Sequence, residues 1–193
     1  MRLLTPSANR RWNEFLGLVW IAISLFGVFS LATFSPADSS FNTAPASGEI
    51  RNWAGAIGAL TADLLYQLFG ACAFLLPAIL TWLGWLRFRS IAFSDPWAKA
   101  TGAVLLVLSL MTAVSLIPYP ILMHELFPPG GFVGAVLADG LLRGLNGPGT
   151  AILLGIAFIA SLYLLTTFSV ERVTAWLGSI RLDRTAAIEA GVS

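Results

Sequence analysis

Four stretches of this chain stay free of charged residues for longer than the ~20 residues a helix needs to cross about 30 Å of hydrocarbon. They run from Phe15 to Ala37, Leu64 to Leu86, Ala100 to Met123 and Gly144 to Val170. No other feature constrains the fold as much, because backbone polar groups in lipid must be satisfied within their own segment, which a helix does. Composition agrees: 57% of the residues are hydrophobic and 11% are charged, against roughly 25% charged in a soluble domain. A water-soluble fold with a mean hydropathy of +0.81 would expose more apolar surface than monomers tolerate. The expected architecture is an all-α integral membrane protein with spans at about 15–34, 64–86, 100–120 and 149–170.

Arg10 and Arg11 precede the first span as they would in a signal peptide. The apolar run that follows exceeds the ~7–15 residues of a signal h-region, so an uncleaved anchor is expected. Orientation follows from cations. Arg2, Arg10, Arg11, Arg87, Arg89, Lys99, Arg172, Arg181 and Arg184 fall in the N-terminus, the 87–99 loop and the C-terminus, whereas the other two loops hold Arg51 and Arg143. The positive-inside bias then puts both termini (1–14 and 171–193) and the middle loop in the cytoplasm, with 15–170 as the transmembrane domain. Trp12, Trp82, Trp85 and Trp97 flank the positive segments, where an aromatic belt belongs.

The two outward loops contain a repeat. Residues 55–65 and 131–141 share Gly55/Gly131, Gly58/Gly134, Ala59/Ala135, Ala62/Ala138, Asp63/Asp139 and Leu65/Leu141. Each copy follows a span that ends near a proline, Pro36 or Pro118, and precedes the next span. A duplicated unit is expected, with two tandem hairpin-like repeats, each carrying a short outer interfacial helix, in the same orientation about an axis along the membrane normal. Gly55, Gly58, Ala59 and Ala62 form one small-residue helix face, and Gly131, Gly134, Ala135 and Ala138 repeat it. Such faces let helix backbones approach closely, within one subunit or between subunits; packing within one subunit is the preferred reading. Asp63 and Asp139 are either a pseudo-symmetric carboxylate pair on a proton path or subunit contact, or locally bonded residues at the outer margin. The local reading is preferred because neither lies within a hydrocarbon run.

Catalytic chemistry finds little to work with. His124-Glu125 lacks the ligand number of a zinc site. Cys72 behaves as a small hydrophobe within its span. Pro77 is expected to kink its helix by freeing the carbonyl of Ala73. Pro128-Pro129-Gly130-Gly131 and Asn146-Gly147-Pro148-Gly149 are turn signals bracketing the second outer helix, and residues 38–49 read as a flexible outer loop. Val170, Val173, Leu177 and Ile180 recur at helical spacing, which predicts an amphipathic helix on the cytoplasmic surface with Trp176 as anchor, or else a continuation of the fourth helix beyond the membrane. Past Arg184 the chain reads as the start of a linker. Neither a P-loop nor a dinucleotide fingerprint is present, and no basic cluster is dense enough for direct DNA binding. The reading is a non-enzyme without cofactor or metal.

Several segments carry a resemblance. Arg11-Trp12-Asn13-Glu14-Phe15-Leu16-Gly17-Leu18 leads into the first span, and Phe34-Ser35-Pro36-Ala37-Asp38-Ser39-Ser40-Phe41-Asn42 follows it. Asn52-Trp53-Ala54-Gly55-Ala56-Ile57-Gly58-Ala59, Asp63-Leu64-Leu65 and Gln67-Leu68-Phe69-Gly70 come next. Over about residues 11–170, and most strongly before residue 90, the chain resembles the four-span N-terminal region of FtsK/SpoIIIE-type bacterial DNA translocases. The resemblance implies an inner-membrane anchor at the division septum that contacts other division proteins. It also implies a homo-oligomer, a hexamer in that family, tethering a cytoplasmic DNA-pumping ATPase. This sequence has no Walker lysine, so it is expected to be either the N-terminal part of a longer protein or a motorless relative. The alternative from another class is a small four-helix transporter or channel using Asp63 and Asp139.

Overall fold

A computed structural model describes residues 7–38, 50–91, 95–117 and 127–166. The elements are helices α1 (Arg10–Ala32), α2 (Gly55–Phe69), α3 (Leu75–Phe88), α4 (Pro96–Ser115) and α5 (Gly131–Leu165), with a 3₁₀ turn at Gly70–Phe74 between α2 and α3. Among the described residues the fold is all-helical, as expected. Four helical units, Arg10–Ala32, Gly55–Phe88, Pro96–Ser115 and Gly131–Leu165, are long and apolar enough to cross a membrane. His124, Glu125, the end of the expected third span and the expected amphipathic C-terminal helix lie outside the described residues.

Local chemistry sets the helix starts. The Asn9 side chain accepts from the Arg11 and Trp12 amides, so it caps α1. Pro96 opens α4 in the first turn, where its missing N–H costs no helical bond.

Two helices contain breaks. The chain turns through Gly70–Phe74, with Gly70 at φ 56°, before α3 begins. Pro77 therefore sits in the first turn of α3 rather than at a mid-helix kink: its missing N–H falls where no intrahelical partner is needed. In α5 the break is Asn146, at φ 56° and ψ 179°, with Pro148 following. This is where the Asn-Gly-Pro-Gly turn signal stands.

Packing is antiparallel in both halves. A methyl group on Gly17 of α1 would collide with the backbone of Gly84 and Phe88 in α3. The Ser24 hydroxyl, one turn and more along, donates to the Pro77 carbonyl. In the second half Gly102 of α4 lies equally close to Ser161 and Leu165 of α5. Meanwhile α2 passes over the far end of α1: Gly58 meets Ser30, and the Tyr66 hydroxyl donates to the Leu31 carbonyl at 2.9 Å. Leu31, Ala62, Tyr66 and Ala73 form one core cluster there. Cys72, Val107 and Met111 form another, which joins the two halves.

Candidate functional site

The small-residue segments sit where helices meet most closely. Gly58, Ala59, Ala62 and Asp63 are buried, and Gly55 is half-buried. Gly58 faces the Ser30 hydroxyl at the end of α1 and the Asn52 side chain. Its counterpart Gly134 faces the Met111 carbonyl and Ser115 hydroxyl at the end of α4. Gly131, Gly134 and Ala138 are buried, Ala135 is half-buried and Asp139 is exposed. The backbone entries into the two segments match: Gly55 N–H donates to the Asn52 carbonyl at 2.9 Å, and Gly131 N–H to the Pro128 carbonyl at 2.8 Å. Gly55 and Gly131 have φ of 70° and 67°.

The two aspartates share a sequence position and little else. Asp63 is 4% exposed and accepts from the Gln67 amide at 2.8 Å. The Asp139 side chain is 62% exposed and pairs with Arg143 at 2.9 Å. Each bonds four residues along its own helix. An exposed i,i+4 ion pair of this kind contributes only about 0.3–0.5 kcal/mol.

A polar latch that sequence reasoning missed closes the first half. One oxygen of the buried Asp38 carboxylate accepts from the Arg51 amide and the other from the Asn52 amide, each at 2.8 Å. The Asn52 side chain donates to the Ser30 carbonyl at 2.8 Å and accepts from the Ala54 amide at 2.9 Å. Thr33 accepts from the Trp53 amide. The loop ends are thereby tied to the end of α1, and the start of α2 is fixed across it. Its only signal in sequence is a pair of short polar residues, Asp38 and Asn52, flanking a loop beside a span end. At the opposite end of α1 the buried Asn13 donates to Ser90 and to the Ser7 carbonyl. Over the latch, Phe127 stacks on Tyr66 at a centroid distance of 6.1 Å and tilts against Phe34 at 5.7 Å.

These groups hold helices; none is arranged as a nucleophile, acid–base pair or ligand set. Among the described residues no three His, Cys, Asp or Glu side chains lie close enough to hold a metal ion.

The family described as the 4TM region of DNA translocase FtsK/SpoIIIE matches residues 9–178. The chain belongs to that family. It is 33% identical over 177 residues to the DNA translocase FtsK of Vibrio vulnificus, covering 90% of this chain and 18% of the relative. The DNA translocase FtsK of Shewanella oneidensis is 31% identical over 84% of this chain and 18% of its own length. That of Pseudomonas syringae pv. tomato is 30% identical over 92% of this chain and 24% of its own. This chain thus spans about a fifth of the curated relatives it matches. No solved structure matches it. Family and helices together make this a multi-pass membrane protein in a lipid bilayer. It is the membrane region of an FtsK-type translocase and not its ATPase motor.

Proposed function

We propose that this region is the inner-membrane anchor and self-assembly module of a DNA translocase, holding a cytoplasmic DNA-pumping ATPase at the division septum. The observation that carries this reading is the family match over residues 9–178, joined to four apolar helices and a share of only 18% of the longer relatives. Both termini lie in the cytoplasm in this reading, which the distribution of Arg and Lys supports. The proposed partners are further copies of the chain and other division-site membrane proteins. The buried, inward-packed Gly58, Ala62, Gly134 and Ala138 act in it as helix-packing positions that keep each half rigid.

A fluorescent fusion to this chain tests the reading. The expected result is a membrane signal concentrated at the septum of dividing cells. A uniform membrane signal would contradict the septal role, and a soluble signal would contradict anchoring.

A further inference from the structure

The contact between the two halves is made once and left open once. At the break of the first half, Gly70 lies against the backbone of Pro129 and Gly131 at the start of α5, and the Ala71 amide donates to the Pro129 carbonyl at 2.8 Å. Next to it Cys72 joins Val107 and Met111 of α4, with Val133 packed on the same cluster. The first half thus docks its break on the leading edge of the second.

Among the described residues, the matched residues of the second half have no such cover. In register with Gly70, Ala71 and Cys72 stand Asn146, Gly147 and Pro148, all exposed. In register with Pro129, Gly131 and Val133 stand Trp53, Gly55 and Ile57. Trp53 is 79% exposed and Ile57 72%, and among the described residues a methyl group on Gly55 or Gly147 would meet nothing within 4 Å. Counting from the Ser30/Ser115 pair, Val107 and Met111 correspond to Ala22 and Phe26, which are exposed as well. A twofold relation inside the chain would have made both contacts. One made and one open is a head-to-tail arrangement, which continues from copy to copy and closes into a ring where the rotation allows. Lipid is a poor cover for the open break. Pro148 has no N–H to give the Gly144 carbonyl, and lipid offers no donor in its stead.

We propose that Asn146–Pro148 of one chain docks on the Trp53–Ile57 edge of a second copy, as Gly70–Cys72 docks on Pro129–Val133 within the chain. The Gly147 amide donates to the partner copy's exposed edge at the Trp53 carbonyl, and Pro148 packs among Ile57, Ala22 and Phe26 of that copy. The surface is heterologous: each copy offers one break and receives another. This rests on the self-assembly reading above and names the surface that performs it.

The test is cross-linking in native membranes. In a Cys72→Ala background, chains with Ile57→Cys and chains with Pro148→Cys are co-expressed under different affinity tags and treated with a mild oxidant. The expected products are mixed 57–148 dimers, and a ladder of higher multimers when one chain carries both substitutions. Copies that co-purify through their tags but link 57–57, 148–148 or not at all would overturn the surface and leave self-assembly standing. Copies that do not co-purify would overturn both. A second variant guards against a folding artefact: Ile57→Arg changes a side chain exposed in the single chain. It should keep its membrane level while co-purification falls about tenfold or more; undiminished co-purification would overturn the surface.

Discussion

The breaks at Gly70 and Asn146 are the same local device in two settings. Both interrupt a helix at φ 56° and stand at equal distance from a glycine that opens the helix with positive φ. Yet Gly70, Cys72 and Ala73 are buried, whereas Asn146, Gly147 and Pro148 are open. The burial of Asp63 against the exposure of Asp139, and of Tyr66 against Leu142, follows the same division. What differs is the neighbour. The first half has the second half laid against it, with Phe127 as a lid over Tyr66. Among the described residues of one chain, none covers the second half in that way. Side-chain bonds follow suit: Ser24, Asn52 and Tyr66 reach across to other elements, whereas Ser109, Thr112 and Ser161 bond back to their own helices.

Matched substitutions sharpen this contrast. The largest difference is expected at the breaks. Gly70→Ala places a methyl group into the backbone of Pro129 and Gly131 at a positive φ, which should cost about 3 kcal/mol or more. Asn146→Ala keeps a Cβ that the native residue already carries at φ 56° and ψ 179° and meets open space, so it should cost about 1 kcal/mol or less. Protein level in membranes and thermal melting in detergent read the difference; equal losses would break the comparison. Next, Tyr66→Phe removes one of two donors to the buried Leu31 carbonyl, the Phe34 amide remaining, and should cost about 0.5–1.5 kcal/mol, while Leu142→Ala at the matched exposed position should cost under about 0.5 kcal/mol.

The four apolar helices and the Asn146 break were legible in the sequence for plain reasons. Uncharged runs announce helices in lipid, and Asn-Gly-Pro-Gly combines a residue that tolerates positive φ with one that cannot donate. The Gly70 break was not legible, because Leu68-Phe69-Gly70-Ala71-Cys72-Ala73 reads as continuous apolar helix, which puts the expected kink of the 64–86 span at Pro77 instead. What breaks it is tertiary: the Pro129 carbonyl takes the Ala71 amide. For the same reason Asp63 and Asp139 look alike in sequence. Both follow the same Gly-x-x-Gly-Ala-x-x-Ala pattern, although the residue four on is Gln67 in one and Arg143 in the other, and the cover over Asp63 comes from elsewhere in the chain.

Smaller effects probe the polar ties. Ser24→Ala removes bonds to the Pro77 carbonyl and the Thr81 hydroxyl and should lower stability by about 1 kcal/mol. Ser109→Ala, whose hydroxyl bonds the Leu106 carbonyl of its own helix, should cost about half as much, near the 0.6 kcal/mol average for such bonds in membrane helices. At the bottom of the scale, Asp139→Asn breaks an exposed pair with Arg143 and should change melting by less than about 0.5 kcal/mol. Asp63→Leu removes a buried acceptor of Gln67 and should cost about 1–2 kcal/mol. Equal effects at the two aspartates would remove the asymmetry between the halves.

The central claim is that the two halves stand the same way up, so that both breaks lie at one side of the membrane. Gly70, at the first break, lies against Gly131, where the helix that carries the second break begins. Fusing a reporter active only outside the cytoplasm after Asn42, Ser94 and Glu125 measures this. Activity is expected at Asn42 and Glu125 and none at Ser94. Activity at only one of Asn42 and Glu125 would place the halves in opposite orientations and contradict the account.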